Sequence, residues 1–369
     1  MSAAVGDEAW LSALLRFEAA LASAQARLGI IPLETANAIA TKARVRDFDL
    51  AAIGAAATAS ASPVVPLVDA LKGSLDPEHA RHVHEGATSQ DAVDTAMMLV
   101  SRDGLDLLLA DLDSVASHTA SLAQRYRDAP IAGRTLLQQA RPITFGAKAA
   151  GWLHGILAAR RRLRGLRRRL PVQLAGPVGT LSGLGRQGKE LVEALAEELD
   201  LVAPAASWQT DRGLVAELGT ALAIAAGTAA KVALDIVLLS QTEVGEVTES
   251  APGRSSAMPE KRNPAHAVEA RAAYSGAVAQ AGLLLGALAG EHERAAGAWQ
   301  SEWPALSETF RLSAGAVART KEAVDGLVVD PERMRANLVR EPGDVELAAA
   351  SAAVDRVLAI YHDEEEDKS

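Results

Sequence analysis

Apolar positions recur every three or four residues along most of this chain. From Glu8 to Leu28 they fall at Leu11, Leu14, Leu15, Ala19, Leu21 and Leu28, the spacing of one buried helical face. Gly29 and Pro32 close that segment. Shorter helices are expected over 33–60, and Ser62-Pro63 and Asp76-Pro77 mark turns on either side of 64–73. Long helices are predicted over roughly 90–127, 142–169, 210–248, 264–296 and 304–326. No pair of alternating strands stands out. The pattern implies an all-α protein, an elongated helical bundle. Its expected parts are an N-terminal helical domain over 1–95, a central long-helix bundle over 96–330 and a short C-terminal segment over 331–369.

Composition sharpens this picture. Of 369 residues 49% are hydrophobic and 23% charged, but only 3% are aromatic. The core must therefore be built from Ala, Leu and Val, which suits close helix packing better than a β-sandwich. One stretch, 272–290, has no formally charged residue over its 19 positions, long enough to suggest a membrane span. Tyr274, Ser275 and Gln280 within it, and charged residues on both sides, favour the centre of a large soluble bundle. The net charge of −10 argues against nucleic acid or a membrane surface as partner. With no cysteine, disulfides, thiol catalysis and cysteine–zinc sites are excluded, in keeping with a reducing cytoplasm. Met1 to Trp10 lack a basic region followed by an apolar run, so no secretory signal is expected.

Several charged or glycine-rich runs imitate functional motifs. Gly183, Gly185 and Gly188 spell a phosphate-loop pattern, but no strand precedes them and Glu190 stands where Mg²⁺ would need Ser or Thr. They are expected to be a connection between helices. His79, His82 and His84 do not share one helical face, so a loop is expected and no metal. Seven arginines between Arg160 and Arg169 have no interleaved aromatics for base stacking and fall at a predicted helix end, where cations complement the dipole. They are read as solvated, as is the acidic tail from Asp363 to Asp367.

Three separated stretches carry polar residues that a simple bundle does not need. In His84-Glu-Gly-Ala-Thr-Ser-Gln-Asp91, Thr88 and Ser89 either cap a helix or, with its free amides, form a carboxylate site. In Gly133-Arg-Thr-Leu-Leu-Gln-Gln-Ala-Arg-Pro-Ile-Thr-Phe-Gly146, Thr135 and Gln138 would project together on a helical turn; a plain helix–turn–helix corner is the other reading. In Pro252-Gly-Arg-Ser-Ser-Ala-Met-Pro-Glu-Lys-Arg-Asn-Pro264, two further prolines and a glycine bar regular helix, leaving a binding loop or lid. Ser255 or Ser256 would carry a proton there if Lys261 and backbone amides stabilised its alkoxide. No histidine in the loop serves as base, so this is not a Ser-His-Asp arrangement.

Taken in order, the three motifs resemble the active-site regions of the fumarase/aspartase superfamily. They are similar to T-S-x-D-x-x-D-T, G-R-T-x-x-Q-x-A-x-P-x-T-F-G and the signature loop G-S-S-x-M-P-x-K-x-N-P. Trp208-Gln-Thr-Asp-Arg212, Gln241-Thr-Glu-Val-Gly-Glu246 and Glu291-His-Glu-Arg294 extend the likeness along nearly the whole chain. The resemblance implies a homotetramer with a twenty-helix core and active sites shared among three subunits, without metal or cofactor. It implies addition or elimination beta to a carboxylate of a small substrate, through a carbanion. The proton carrier on carbon is then Ser255, and the substrate-binding positions are His84, Thr88, Ser89, Thr135, Gln138, Lys261 and Asn263. Members that expel an amine, of the adenylosuccinate type, carry a histidine where this chain has Leu136. Leu136, Trp208 and the Glu291–Trp303 segment are similar instead to the lactonising branch, in which a carboxylate of a muconate-type tricarboxylate is itself the nucleophile. An amine-expelling lyase and an inactive structural homologue are the alternatives. Two departures stand out: Glu260, and Arg254 in place of glycine, which adds a cation for a third carboxylate.

Overall fold

The computed structural model describes residues 1–366, apart from the side chain of Leu184. Its first helices are α1 (Asp7–Arg27), α2 (Leu33–Lys42), α3 (Leu50–Ala57), α4 (Val64–Gly73) and α5 (Pro77–Ala80). The long helix α6 (Ser89–Arg125) leads to a hairpin of β1 (Pro130–Thr135) and β2 (Gln138–Thr144), and thence to α7 (Phe145–Arg167). After α8 (Gly188–Leu199) come α9 (Gly213–Leu239), the short β3 (Val247–Thr248), α10 (Ala265–Gly286) and α11 (Ala298–Val324). The short β4 (Val328–Val329), α12 (Pro331–Ala336) and α13 (Asp344–Glu366) complete the described chain, with β3 antiparallel to β4.

The chain divides into two compact units, to which α6, α7, α9, α10 and α11 each contribute residues. One unit holds Met1–Leu107, Arg164–Thr220 and Gln280–Arg311; the other holds Leu108–Leu163, Ala221–Ala279 and the residues from Leu312 on. In the first, α1 buries Leu11, Leu14, Leu15, Phe17 and Leu21 and packs on α2 and α8. In the second, Ala226 of α9, Ala277 of α10 and Ala316 of α11 meet as a fully buried cluster beside Tyr274 and Leu312. Small residues let these helices approach closely: a Cβ added at Gly276 would come within 3.0 Å of the Leu312 side chain. This is how a chain with so few aromatics fills its core.

The long helices follow the hydrophobic period, but four expectations need correction. The chain does contain strands. The segment expected as a helical corner is the β1–β2 hairpin, with Thr135 opposite Gln138 in register. The helix expected to continue to residue 296 ends at Gly286, which frees the Glu291–Arg294 segment from regular structure. Arg160 is not solvated. It is fully buried, 2.9 Å from Asp113, 2.7 Å from Glu364 and 2.6 Å from Glu365. The acidic tail is accordingly no free end, since Glu364 also pairs with Arg161; Asp367 lies outside the described residues. Two opposite charge runs, far apart in sequence, neutralise each other because a buried guanidinium requires paired carboxylates. Among the described residues, α9 is the one helix long and apolar enough to cross a membrane, and half of its apolar window is buried inside the chain. The stretch 272–290 is not one continuous helix, because α10 ends at Gly286.

Candidate active site

In the first unit the polar motif opens α6. Thr88 immediately precedes the helix, and its N–H donates to the Asp91 carboxylate at 3.0 Å, one half of a capping box. Fully buried, Asp91 also accepts from the Ala175 and Gly176 amides, both at 3.0 Å. Burial pushes its carboxyl up to about 6, although these N–H groups oppose the rise. Thr88 Oγ1 accepts from Arg294 Nη2 at 2.8 Å, and Arg294 Nε donates to Gln90 Oε1 at 3.1 Å. Gln90 in turn donates to Asp94 and to the Gln209 carbonyl. Asp94 sits in a buried cluster: Arg212 grips it at 2.8 and 3.0 Å and holds Glu302 on its other side, while Trp299 Nε1 donates to it at 2.9 Å. The start of α6 is thus tied to α11, to the 208–212 segment and to the 175–176 turn through polar groups that are all satisfied.

His84 lies just upstream in a left-handed conformation, φ +61°. Its Nδ1 is 2.6 Å from Glu18 Oε1, and its ring meets Phe17 edge-on. Burial lowers the imidazole pKa, but the Glu18 charge and hydrogen bond more than offset this and raise it above the ordinary value. The neighbouring histidines have partners of their own, Thr35 for His79 and Glu85 for His82. No group of three or more potential metal ligands occurs among the described residues.

The second unit holds the other candidates. Thr135 and Gln138 flank a two-residue tip, Leu136-Leu137, whose φ angles of +50° and +63° are those of a type I′ turn. The hairpin is anchored next to its tip by Arg134, which grips the buried Glu246 carboxylate at 2.7 and 2.9 Å; Asn337 donates to the same carboxylate. The irregular loop between β3 and α10 carries the remaining residues. Gly253 and Asn263 close it with reciprocal backbone bonds of 2.8 and 3.0 Å, and Glu249 caps α10 through the His266 and Ala267 amides. Between those fixed ends Ser255 Oγ accepts from the Ala257 amide at 3.3 Å and the Met258 amide at 3.1 Å. The side chains of Arg254, Lys261 and Asn263 make no hydrogen bond or ion pair among the described residues. Those of Arg254 and Lys261 are exposed. Nor does any hydrogen bond join this loop to Thr135 or Gln138 among the described residues.

Sequence reasoning passed over the residues that hold these groups: Asp91, Arg212, Glu246, Glu249 and Arg294. Each lies in or beside a motif already noted, and only burial, which makes an unpaired charge costly, separates it from its polar neighbours.

Comparison with known proteins places this arrangement. The chain is 45% identical over 359 residues to nitrosuccinate lyase of Streptomyces davaonensis, covering 94% of this chain and 76% of that one. It is 43% identical over 361 residues to 3-carboxy-cis,cis-muconate cycloisomerase of Bradyrhizobium diazoefficiens, covering 96% and 80%. The crystal structure of 3-carboxy-cis,cis-muconate lactonizing enzyme from Pseudomonas putida superimposes with a TM-score of 0.86 at 40% identity, over 90% of this chain and 76% of that one. The model of a family described as lyase matches residues 3–305, and the chain belongs to that family, within the fumarase/aspartase superfamily.

Proposed function

We propose that this enzyme is a 3-carboxy-cis,cis-muconate cycloisomerase, closing the tricarboxylate to 4-carboxymuconolactone. One substrate carboxylate forms the new C–O bond to a conjugated carbon, and the π electrons displaced to the adjacent carbon take the proton of Ser255. The alkoxide left behind would be held by the Ala257 and Met258 amides, which already donate to Ser255 Oγ. Lys261 and Arg254 supply positive charge, and His84, Thr88, Ser89, Thr135, Gln138 and Asn263 bind the carboxylates. Four relatives that bear the cycloisomerase name, at 39–43% identity, support the substrate. Two observations carry the reading: Ser255 accepts from backbone amides, and the residue at the hairpin tip, Leu136, is proton-inert. Lactonisation needs a single proton, on carbon.

A second reading has its own support in the nitrosuccinate lyase similarity. Nitrite is a stable anion and leaves without an acid, so elimination from nitrosuccinate is also compatible with Leu136. The two differ in substrate charge, and the loop's Arg254 and Lys261, which make no ion pair among the described residues, suit the tricarboxylate. Mixing the enzyme with 3-carboxymuconate should abolish the diene absorbance. An unchanged spectrum together with nitrite release from nitrosuccinate would replace the first reading with the second.

Assembly as a homotetramer with shared sites in the cytoplasm belongs to the same proposal. Its support is α10, which exposes Val268, Val278, Leu283 and Leu285 although its composition suits a core.

A further inference from the structure

We infer that the Leu136-Leu137 tip is a specificity-determining element, an apolar, proton-inert cover for the substrate's carbon chain that is held in a strained turn for this purpose. The inference rests on the binding roles given above to Thr135 and Gln138. Both tip residues have positive φ. Asn-Gly or Gly-Gly enters such a turn freely, whereas leucine brings its Cβ against the following carbonyl oxygen. Strain of this kind persists where something outside the turn rewards it. Packing within the described chain does not, because Leu136 is 97% exposed and Leu137 76%.

The mount beneath the tip is rigid. A Cβ at Gly133 would come 2.4 Å from the Arg141 carbonyl oxygen, so only glycine allows the strands this approach. Arg134 is locked to Glu246, and Gln139 bonds the Asn337 carbonyl and the Val339 amide. Folding alone would select Asn or Gly at the tip, and solubility alone would select polar residues. Two exposed leucines on a rigid mount instead imply an apolar contact with another molecule. Its character follows from the flanks. The Thr135 and Gln138 side chains sit opposite each other without a hydrogen bond among the described residues, free to take carboxylates while the leucines cover the carbons between.

The test is the double variant Leu136→Asn/Leu137→Gly. Its Tm should equal or exceed that of the parent, its assembled mass should be unchanged, and its kcat/KM for 3-carboxymuconate should fall by about 10-fold or more, chiefly through KM. Leu136→Met should retain most of the activity. An unchanged kcat/KM, or a lower Tm, would overturn the inference. So would loss of the assembled mass, which would assign the tip to contact between copies. Binding of 3-carboxymuconate by calorimetry separates this inference from the reaction. A parent enzyme that binds without lactonising refutes the reaction, and the ratio of Kd values then decides the tip; a parent that does not bind refutes both.

Discussion

The start of α6 and the Ser255 loop both hold candidate residues, yet they are built on opposite principles. Around Thr88 the charged and amide groups are fixed by neighbours: Asp91 by two backbone amides, Gln90 by Arg294 and Asp94, and Asp94 by Arg212 and Trp299. The loop around Ser255 is pinned at its ends, by the Gly253–Asn263 pair and the Glu249 cap, and among the described residues Arg254 and Lys261 make no ion pair. A prearranged receptor tolerates no conformational change, whereas a loop that must close over a substrate cannot spend its charges on internal partners. Mutations in the first region should therefore act on stability, and mutations in the second on turnover.

The largest effect expected is for Ser255→Ala, which should lower kcat by about 10²–10⁴ with Tm unchanged, since general acid assistance is worth that much. If Ser256→Ala shows the loss instead, the proton carrier is the other serine. Arg212→Met tests the opposite region. It leaves Asp94 and Glu302 buried without their cation and should cost about 3–5 kcal/mol in chemical denaturation. A well-folded Arg212→Met enzyme that has lost only activity would erase the contrast.

Arg254→Gly should raise KM for the tricarboxylate by roughly 10- to 150-fold at unchanged Tm, the worth of one charge-assisted contact. An unchanged KM at both low and high salt would show that Arg254 faces solvent throughout. The smallest effect concerns His84. Glu18 raises its pKa against the pull of burial, so Glu18→Gln should drop it below the ordinary histidine value, as read by NMR titration. Because the folded pKa is raised, the interaction stabilises the fold fully below about pH 6.5 and is lost as pH rises through the folded value. A variant whose stability keeps the same pH dependence in that window would remove Glu18 as the cause.

Much of the fold was legible because helices with one buried face repeat their apolar residues at a local period. The candidate motifs were legible because irregular, polar-rich segments interrupt that period. The β1–β2 hairpin was not, since Gln138-Gln-Ala-Arg-Pro142 does not alternate and Leu-Leu is the reverse of the usual turn signal. Its tip is shaped by what it contacts rather than by what it prefers.

Sequence alone indicated most of the long helices, the alanine-rich core and the irregular character of the serine loop, all of which depend on neighbours a few residues apart. Only the tertiary structure decided that Arg294 reaches Thr88, that Arg212 bridges Asp94 and Glu302, and that Arg160 is buried against Glu364 and Glu365. Those pairs lie from 90 to 206 positions apart. A charge becomes a buried partner or a solvated end according to which distant segment folds over it, and no local pattern records that choice.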